Sequence, residues 1–184
     1  PFCRRHVLET MPQIKANFID TGRVYYVFKD FPIASLHPLA YRQHEAALCV
    51  ADAANSDAYW QAHDLFFDKV ETFQAGAVEA IDTIILTEFE NAGLPDITDC
   101  LQSGTFAEEV QALLAEGQAA GVTGTPAFFI NGYPVSGAQP YDLFEYAIGL
   151  AEEGTLADAY RQNQNDGQAQ AAEAAQPVDI ADVS

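Results

Sequence analysis

Strand character is confined to two places in this chain, and everything between them is spaced as helix. Arg23-Val24-Tyr25-Tyr26-Val27-Phe28 is dense in aromatic and β-branched residues and predicts a short buried strand. Ala127-Phe128-Phe129-Ile130 repeats that character far downstream. Asn131-Gly132 then signals a two-residue hairpin, with Tyr133-Pro134-Val135-Ser136 as its return strand. Pro134 cannot donate to a ladder, so the return strand belongs at an edge. Between the two places, apolar residues recur at three and four positions through Leu39 to Ala54, Ala58 to Val70, Ala77 to Ala92, Ile97 to Leu101 and Phe106 to Ala120. Gly76, Gly93-Leu94-Pro95 and Ser103-Gly104 mark the breaks. A small sheet must therefore accommodate a helical block of about eighty residues.

The flanks are helical as well. Val7, Leu8, Met11, Ile14 and Phe18 form one face of an amphipathic helix from Cys3 to about Asp20, with Pro12 expected to kink it and Thr21-Gly22 to end it. Pro140 opens a helix bearing Leu143, Phe144, Ala147, Ile148 and Ala151 on one face. Beyond Gly154 the composition drifts to Ala, Gln, Asp and Asn. A helix is expected to reach about Gln164, and 165–184 to form a mobile tail.

Charge narrows the function classes. With 27 acidic and 8 basic residues the formal net charge is −19, which disfavours nucleic acid and anionic membrane surfaces as partners. No window approaches 18 apolar residues, so no membrane span is expected. The four histidines are scattered without ligand spacing, and neither a metal nor another cofactor is expected. Cysteine is odd in number. Cys49 and Cys100 fall in predicted helices and are either reduced small hydrophobes or a pair closing a loop of about fifty residues. Cys3 is left over.

Pro1-Phe2-Cys3 reads as the end of a Cys-Pro-Phe-Cys motif whose first cysteine precedes residue 1. Two cysteines so spaced at the first turn of a helix put both sulfurs within bonding reach, where backbone N–H groups favour a thiolate. Cys3 takes the resolving position, and Pro1 and Phe2 are the intervening residues that tune the pair. The second element is Thr125-Pro126, in a loop framed by Gly121 and Gly124 ahead of a buried strand. An ordinary trans turn proline is the bland alternative, but beside the cysteine motif a cis bond is expected, with Thr125 offering its backbone to an extended substrate. Arg4 and Arg5 are expected to reach solvent and His6 to be an exposed helical histidine, while Trp60 and His63 fall near one face of a predicted helix.

Taken together these stretches resemble the DsbA-like thiol–disulfide oxidoreductases of the thioredoxin superfamily. The resemblance rests on Pro1 to His6, Gly22-Arg23-Val24 through Lys29-Asp30-Phe31-Pro32, His37-Pro38-Leu39-Ala40, Ala46-Ala47 with Cys49, Tyr59 to Phe66, Cys100-Leu101, Gly121 to Ile130 and Gly137-Ala138-Gln139-Pro140. It covers about 1–152. It implies an α/β class: a thioredoxin-like fold with an inserted all-helical subdomain, the N-terminal strand or strands lying outside this chain. The parts are then 1–36 and 121–154 for the thioredoxin-like fold, 37–120 for the insertion and 155–184 for a low-complexity tail, partly disordered. It further implies Cys3 as resolving cysteine, Pro126 as cis-proline, Thr125 as docking residue, a Cys49–Cys100 bridge, and core packing for Trp60 and His63. Protein or peptide thiols, a redox partner and an extracytoplasmic setting (periplasmic or cell-surface) follow from the same likeness. The sequence as it stands lacks the nucleophilic cysteine and could not perform dithiol exchange alone. Two rivals remain: a glutathione-dependent transferase of the kappa type, which has Ser in place of the first cysteine, and a peptide-binding or chaperone module without redox chemistry.

Overall fold

The computed structural model describes residues 1–75 and 77–174. The break expected at Gly76 and the tail expected over 175–184 lie outside the described residues. The chain divides into two compact units, residues 1–127 with 136–141, and residues 128–135 with those from 142 onward.

The first unit opens on a helix over 2–19 that differs from expectation in its turns and its buried face. Phe2–Arg5 and Met11–Ile14 are α-helical, whereas His6–Thr10 and Lys15–Ile19 are wide turns with hydrogen bonds reaching five residues back. The Met11 amide thus bonds the His6 carbonyl, and the Asp20 amide bonds that of Lys15 at 2.9 Å. The first wide turn contains Leu8, whose carbonyl the Pro12 ring would otherwise crowd. The buried residues are His6, Thr10, Ile14 and Phe18, so the inward face is rotated from the predicted stripe and Leu8 is exposed. The reason is pitch. An α-helix turns once in about 3.6 residues, so a four-residue spacing drifts around it; wider turns cancel that drift.

Residues 23–28 are not a strand, contrary to expectation, and neither are the two that follow. They enter no ladder, and the sheet of the described residues consists of two strands paired with each other. The side chains still alternate as a strand's would: Val24, Tyr26 and Phe28 half-buried and Asp30 buried, with Tyr25, Val27 and Lys29 outward. The inward side lies on the Ser56–Asp68 helix. The Phe28 ring sits 4.7 Å from His63 and 6.1 Å from Trp60, and Tyr26 sits 6.0 Å from Trp60. Sequence pattern therefore set the alternation, while the absence of a ladder partner among the described residues left the hydrogen bonding of a strand unmade.

The helical block follows the predicted spacing closely: Ala40–Ala53, Ser56–Asp68, Ile81–Asn91, Thr98–Ser103 and Ala107–Ala119, with an unforeseen short helix, Val70–Gln74. Fully buried Ala46 and Ala62 occupy the neighbouring Ala40–Ala53 and Ser56–Asp68 helices. Phe66 packs 4.7 Å from Phe73 and 5.4 Å from Phe89, and Ile85, Ile97 and Leu101 complete the core. Asn55 caps the second helix, its side chain accepting from the Ala58 amide at 3.0 Å. Arg42 grips Asp82 through two parallel bonds of 2.7 and 2.6 Å and reaches Glu45 at 2.8 Å. Cys49 and Cys100 are joined in a disulfide across the block, 51 residues apart. The bridge that the family likeness implied is present.

The second unit contains most of the hairpin β1 (Ala127–Ile130) and β2 (Tyr133–Ser136) and the helices Tyr141–Glu152 and Leu156–Ala174. Asn131 and Gly132 both take positive φ, 47° and 87°, the mirror-image turn that matches strand twist. Phe128 packs edge-on against Phe144 at 4.9 Å, and Tyr133 lies 5.3 Å from Tyr160. The last helix runs to Ala174, about ten residues beyond the expected end near Gln164. Its Ala- and Gln-rich composition lacks a strong apolar face but favours helix by propensity.

Removing the Cys49–Cys100 bridge by Cys49→Ala with Cys100→Ala releases the closure of a long loop. The variant is expected to lose about 4 kcal/mol, a fall in Tm of roughly 8–16 °C. Calorimetry measures this; a fall below about 2 °C would show that packing alone holds the block.

Candidate active site at the first helical turn

Cys3 sits in the opening turn of the 2–19 helix, which closes when the Arg5 amide donates to the Pro1 carbonyl at 2.9 Å. It is half-buried and is the free cysteine among the described residues. Phe2 beside it is 62% exposed, an apolar ring at the surface next to a thiol. The turn carries two cations where the helix macrodipole disfavours them. Both arginines were expected to reach solvent; the structure corrects that for Arg4, which is half-buried, whereas Arg5 is exposed as expected and bonds a carbonyl besides. Arg4 Nε donates to the Phe67 carbonyl at 2.9 Å, and Arg5 Nη2 donates to the Ala138 carbonyl at 2.7 Å. The carbonyls come from 63 and 133 residues away, so no local pattern announced them.

His6 is the second correction: it is 4% exposed, not a surface histidine. Burial, and secondarily the nearby His63, push its pKa down to about 4. Its register with Thr10, Ile14 and Phe18 at four-residue steps was the available signal. His63 is buried as expected, among Phe28, Trp60 and Phe67 at 4.7, 5.2 and 5.1 Å, with its Nδ1 2.9 Å from Asp64. Burial also pushes Tyr26 up to about 12 and Tyr59 well above the usual phenol range, the latter helped by Asp30. Asp30 is buried and pairs with His44 Nδ1.

The second element lies in the same unit. The Ala107–Ala119 helix ends with the Gly121 amide on Gln118 and the Val122 amide on Gly117, both at 3.0 Å, and the chain runs through Gly124 to a Thr125–Pro126 bond that is cis. Pro126 is half-buried, and its carbonyl accepts from the Gly137 amide at 2.9 Å. Gly137 has φ of 80°, which suits glycine at this turn. Among the described residues, Thr125 enters no backbone–backbone hydrogen bond. An open groove of about 480 Å³ is lined by Phe31, Ile33, Tyr41, Leu114, Val122 and Thr123. The Ala107–Ala119 helix reaches its wall closely: a Cβ on Gly117 would meet the Phe31 ring at 2.6 Å.

The helical turn that contains Cys3 is thus connected to Pro126 indirectly, through Arg5 on Ala138 and Gly137 on Pro126. Cys3 belongs to the turn that holds Ala138 through Arg5; Gly137, the preceding residue, holds Pro126. Cys49 and Cys100 stand apart in role, stapling the helical block. No helix among the described residues is long and apolar enough to cross a membrane.

A family model described as Thioredoxin matches residues 1–149. Two curated relatives are the Na(+)/H(+) antiporters NhaA 3 of Salinispora tropica, 28% identical over 147 residues, and NhaA 1 of Salinispora arenicola, 24% identical over 155. These alignments take in 78% and 84% of this chain but 20% and 22% of those proteins, so the chain spans about a fifth of their length. Among solved structures, Wolbachia pipientis alpha-DsbA1 is similar with a TM-score of 0.72 at 17% identity, over 86% of this chain and 83% of that one. A variant of the same Wolbachia protein gives 0.68 at 16%, over 85% and 82%.

The neutral state of buried His6 has a pH consequence. Its folded pKa near 4 lies below the unfolded value of 6.5, so the unfolded chain binds the proton more readily. Stability is full above about pH 6.5 and declines as pH falls toward 4, by up to about 3 kcal/mol. Urea unfolding of the parent and of His6→Leu at pH 7 and pH 4 isolates this contribution. The parent is expected to lose more than the variant on acidification; equal losses would place His6 in contact with water.

Proposed function

From the premise that this chain belongs to the thioredoxin family and has the fold of the DsbA structures, we propose that it is a thiol–disulfide oxidoreductase acting on protein or peptide cysteines in an extracytoplasmic setting. The observation that carries this reading is the free, half-buried Cys3 in a helix's first turn, whose Arg5 bonds Ala138 next to the Gly137 that bonds Pro126, all within one unit. In this reading 1–36 and 121–154 supply the thioredoxin-like parts and 37–120 the helical insertion.

Cys3 is the resolving thiol of a Cys-Pro-Phe-Cys pair whose first cysteine immediately precedes Pro1. In the oxidising direction a substrate thiolate attacks the first cysteine's sulfur, the bond to Cys3 breaks, and Cys3 leaves as a thiolate. A second substrate thiolate then attacks the substrate sulfur of the mixed disulfide and expels the first cysteine. The substrate gains one disulfide, and two electrons rest on the protein's dithiol. A redox partner removes them; the reverse sequence reduces a substrate. Thr125 docks extended backbone beside the pair, Pro126 faces it, and Pro1 and Phe2 tune it. The groove walled by Phe31 and Leu114 receives apolar residues flanking the substrate cysteine.

The test uses the full-length protein, with the residues that precede Pro1. The parent is expected to turn over in insulin reduction. Cys3→Ala is expected to lose at least a hundredfold in turnover and to accumulate mixed disulfides, because nothing remains to resolve them. A parent without turnover, or a variant equal to it, would refute the assignment.

A further inference from the structure

Two arginines in the first turn of a helix oppose its macrodipole, and each is compensated by a distant carbonyl. Arg4 meets Phe67, in the last turn of the Ser56–Asp68 helix, where the carbonyl end of the dipole favours a cation. Arg5 meets Ala138, which belongs to no helix. That carbonyl lies one residue beyond Gly137, whose amide is bonded to the Pro126 carbonyl. Gln139 tightens the same turn, its amide bonding the Gly137 carbonyl at 2.9 Å and its side chain the Ser136 carbonyl at 2.7 Å. The turn is therefore internally braced, and one arginine moors it to the helix that bears Cys3.

We propose that Arg5 is a positioning residue that moors the Gly137–Ala138 turn, and through it the Thr125-Pro126 loop, to the helical turn carrying Cys3. Its effect on exchange rests on the disulfide-exchange reading above, whereas the mooring itself does not. A guanidinium suits the role, since its planar fork holds a carbonyl in a fixed direction and stays charged at every working pH. Arg4 acts on the other side of the helix start, toward the helical block. The pair fixes the turn from two directions with separate consequences.

The experiment compares Arg5→Met, which keeps length and loses the donors, with Arg5→Lys, which restores a charged donor, in the full-length protein. Two readouts are taken: hydrogen exchange at the Gly137 amide, and kcat and KM for a peptide disulfide. Arg5→Met is expected to speed Gly137 exchange roughly tenfold and to raise KM roughly three- to tenfold, with kcat within about twofold of the parent. Arg5→Lys is expected to recover most of both effects, and Arg4→Met to leave Gly137 exchange at the parent rate. Unchanged Gly137 exchange in Arg5→Met would overturn the mooring. A loss confined to kcat, or one that Arg5→Lys does not repair, would overturn the positioning role and indicate that Arg5 acts by charge on the thiol. A parent that exchanges no disulfides would refute the proposed function instead, leaving Gly137 exchange to decide the mooring.

Discussion

Arg5 bonded to the Ala138 carbonyl, and the Gly137 amide bonded to the Pro126 carbonyl, connect three pieces of chain that sequence keeps far apart. Each bond is modest by itself, because folding exchanges water partners for protein ones. Their importance is geometric. Disulfide exchange is a displacement at sulfur, and a thiol in a helix's opening turn is useful only where substrate backbone is presented to it. In the proposed function, the loop bonded at Pro126 and moored at Ala138 is the part of the chain that would supply that presentation.

The rest of the first unit serves to keep the helix start in place. Wide turns bring His6, Thr10, Ile14 and Phe18 onto one line, so the helix is buried along its length although Pro12 interrupts its hydrogen bonding. His6, three residues past the thiol, is held neutral by burial and anchors the turn without competing for protons near pH 7. Behind it, the aromatic cluster of Phe28, Trp60, His63 and Phe67 joins the alternating 24–30 segment to the helical block. The Cys49–Cys100 bridge and the Arg42–Asp82 pair then stiffen the block.

Much of this was legible because it is local. Helical spacing gave the block to within a few residues at each end, Asn131-Gly132 gave the hairpin, and the proline ahead of Ala127 gave the loop. Most of the misreadings concern partners distant in sequence. Arg23 to Phe28 has the composition and alternation of a strand, yet strand identity resides in a ladder that one segment cannot make alone. Arg4 looks like a solvent-reaching cation until the carbonyl of Phe67 arrives, and Arg5, exposed as expected, gains a partner in Ala138 that no local pattern announced. His6 was misjudged for a different reason: the predicted stripe assumed a regular α-helical pitch, and two wide turns rotated it.

The most direct examination of the account is the proximity of Cys3 to Pro126, which neither hydrogen bond measures by itself. Nuclear Overhauser contacts between the Cys3 β-protons and the Pro126 ring protons report it in solution, in the reduced protein. The account predicts cross-peaks between the two side chains. Resolved signals from both residues with no cross-peak between them, and with contacts to other neighbours instead, would contradict it.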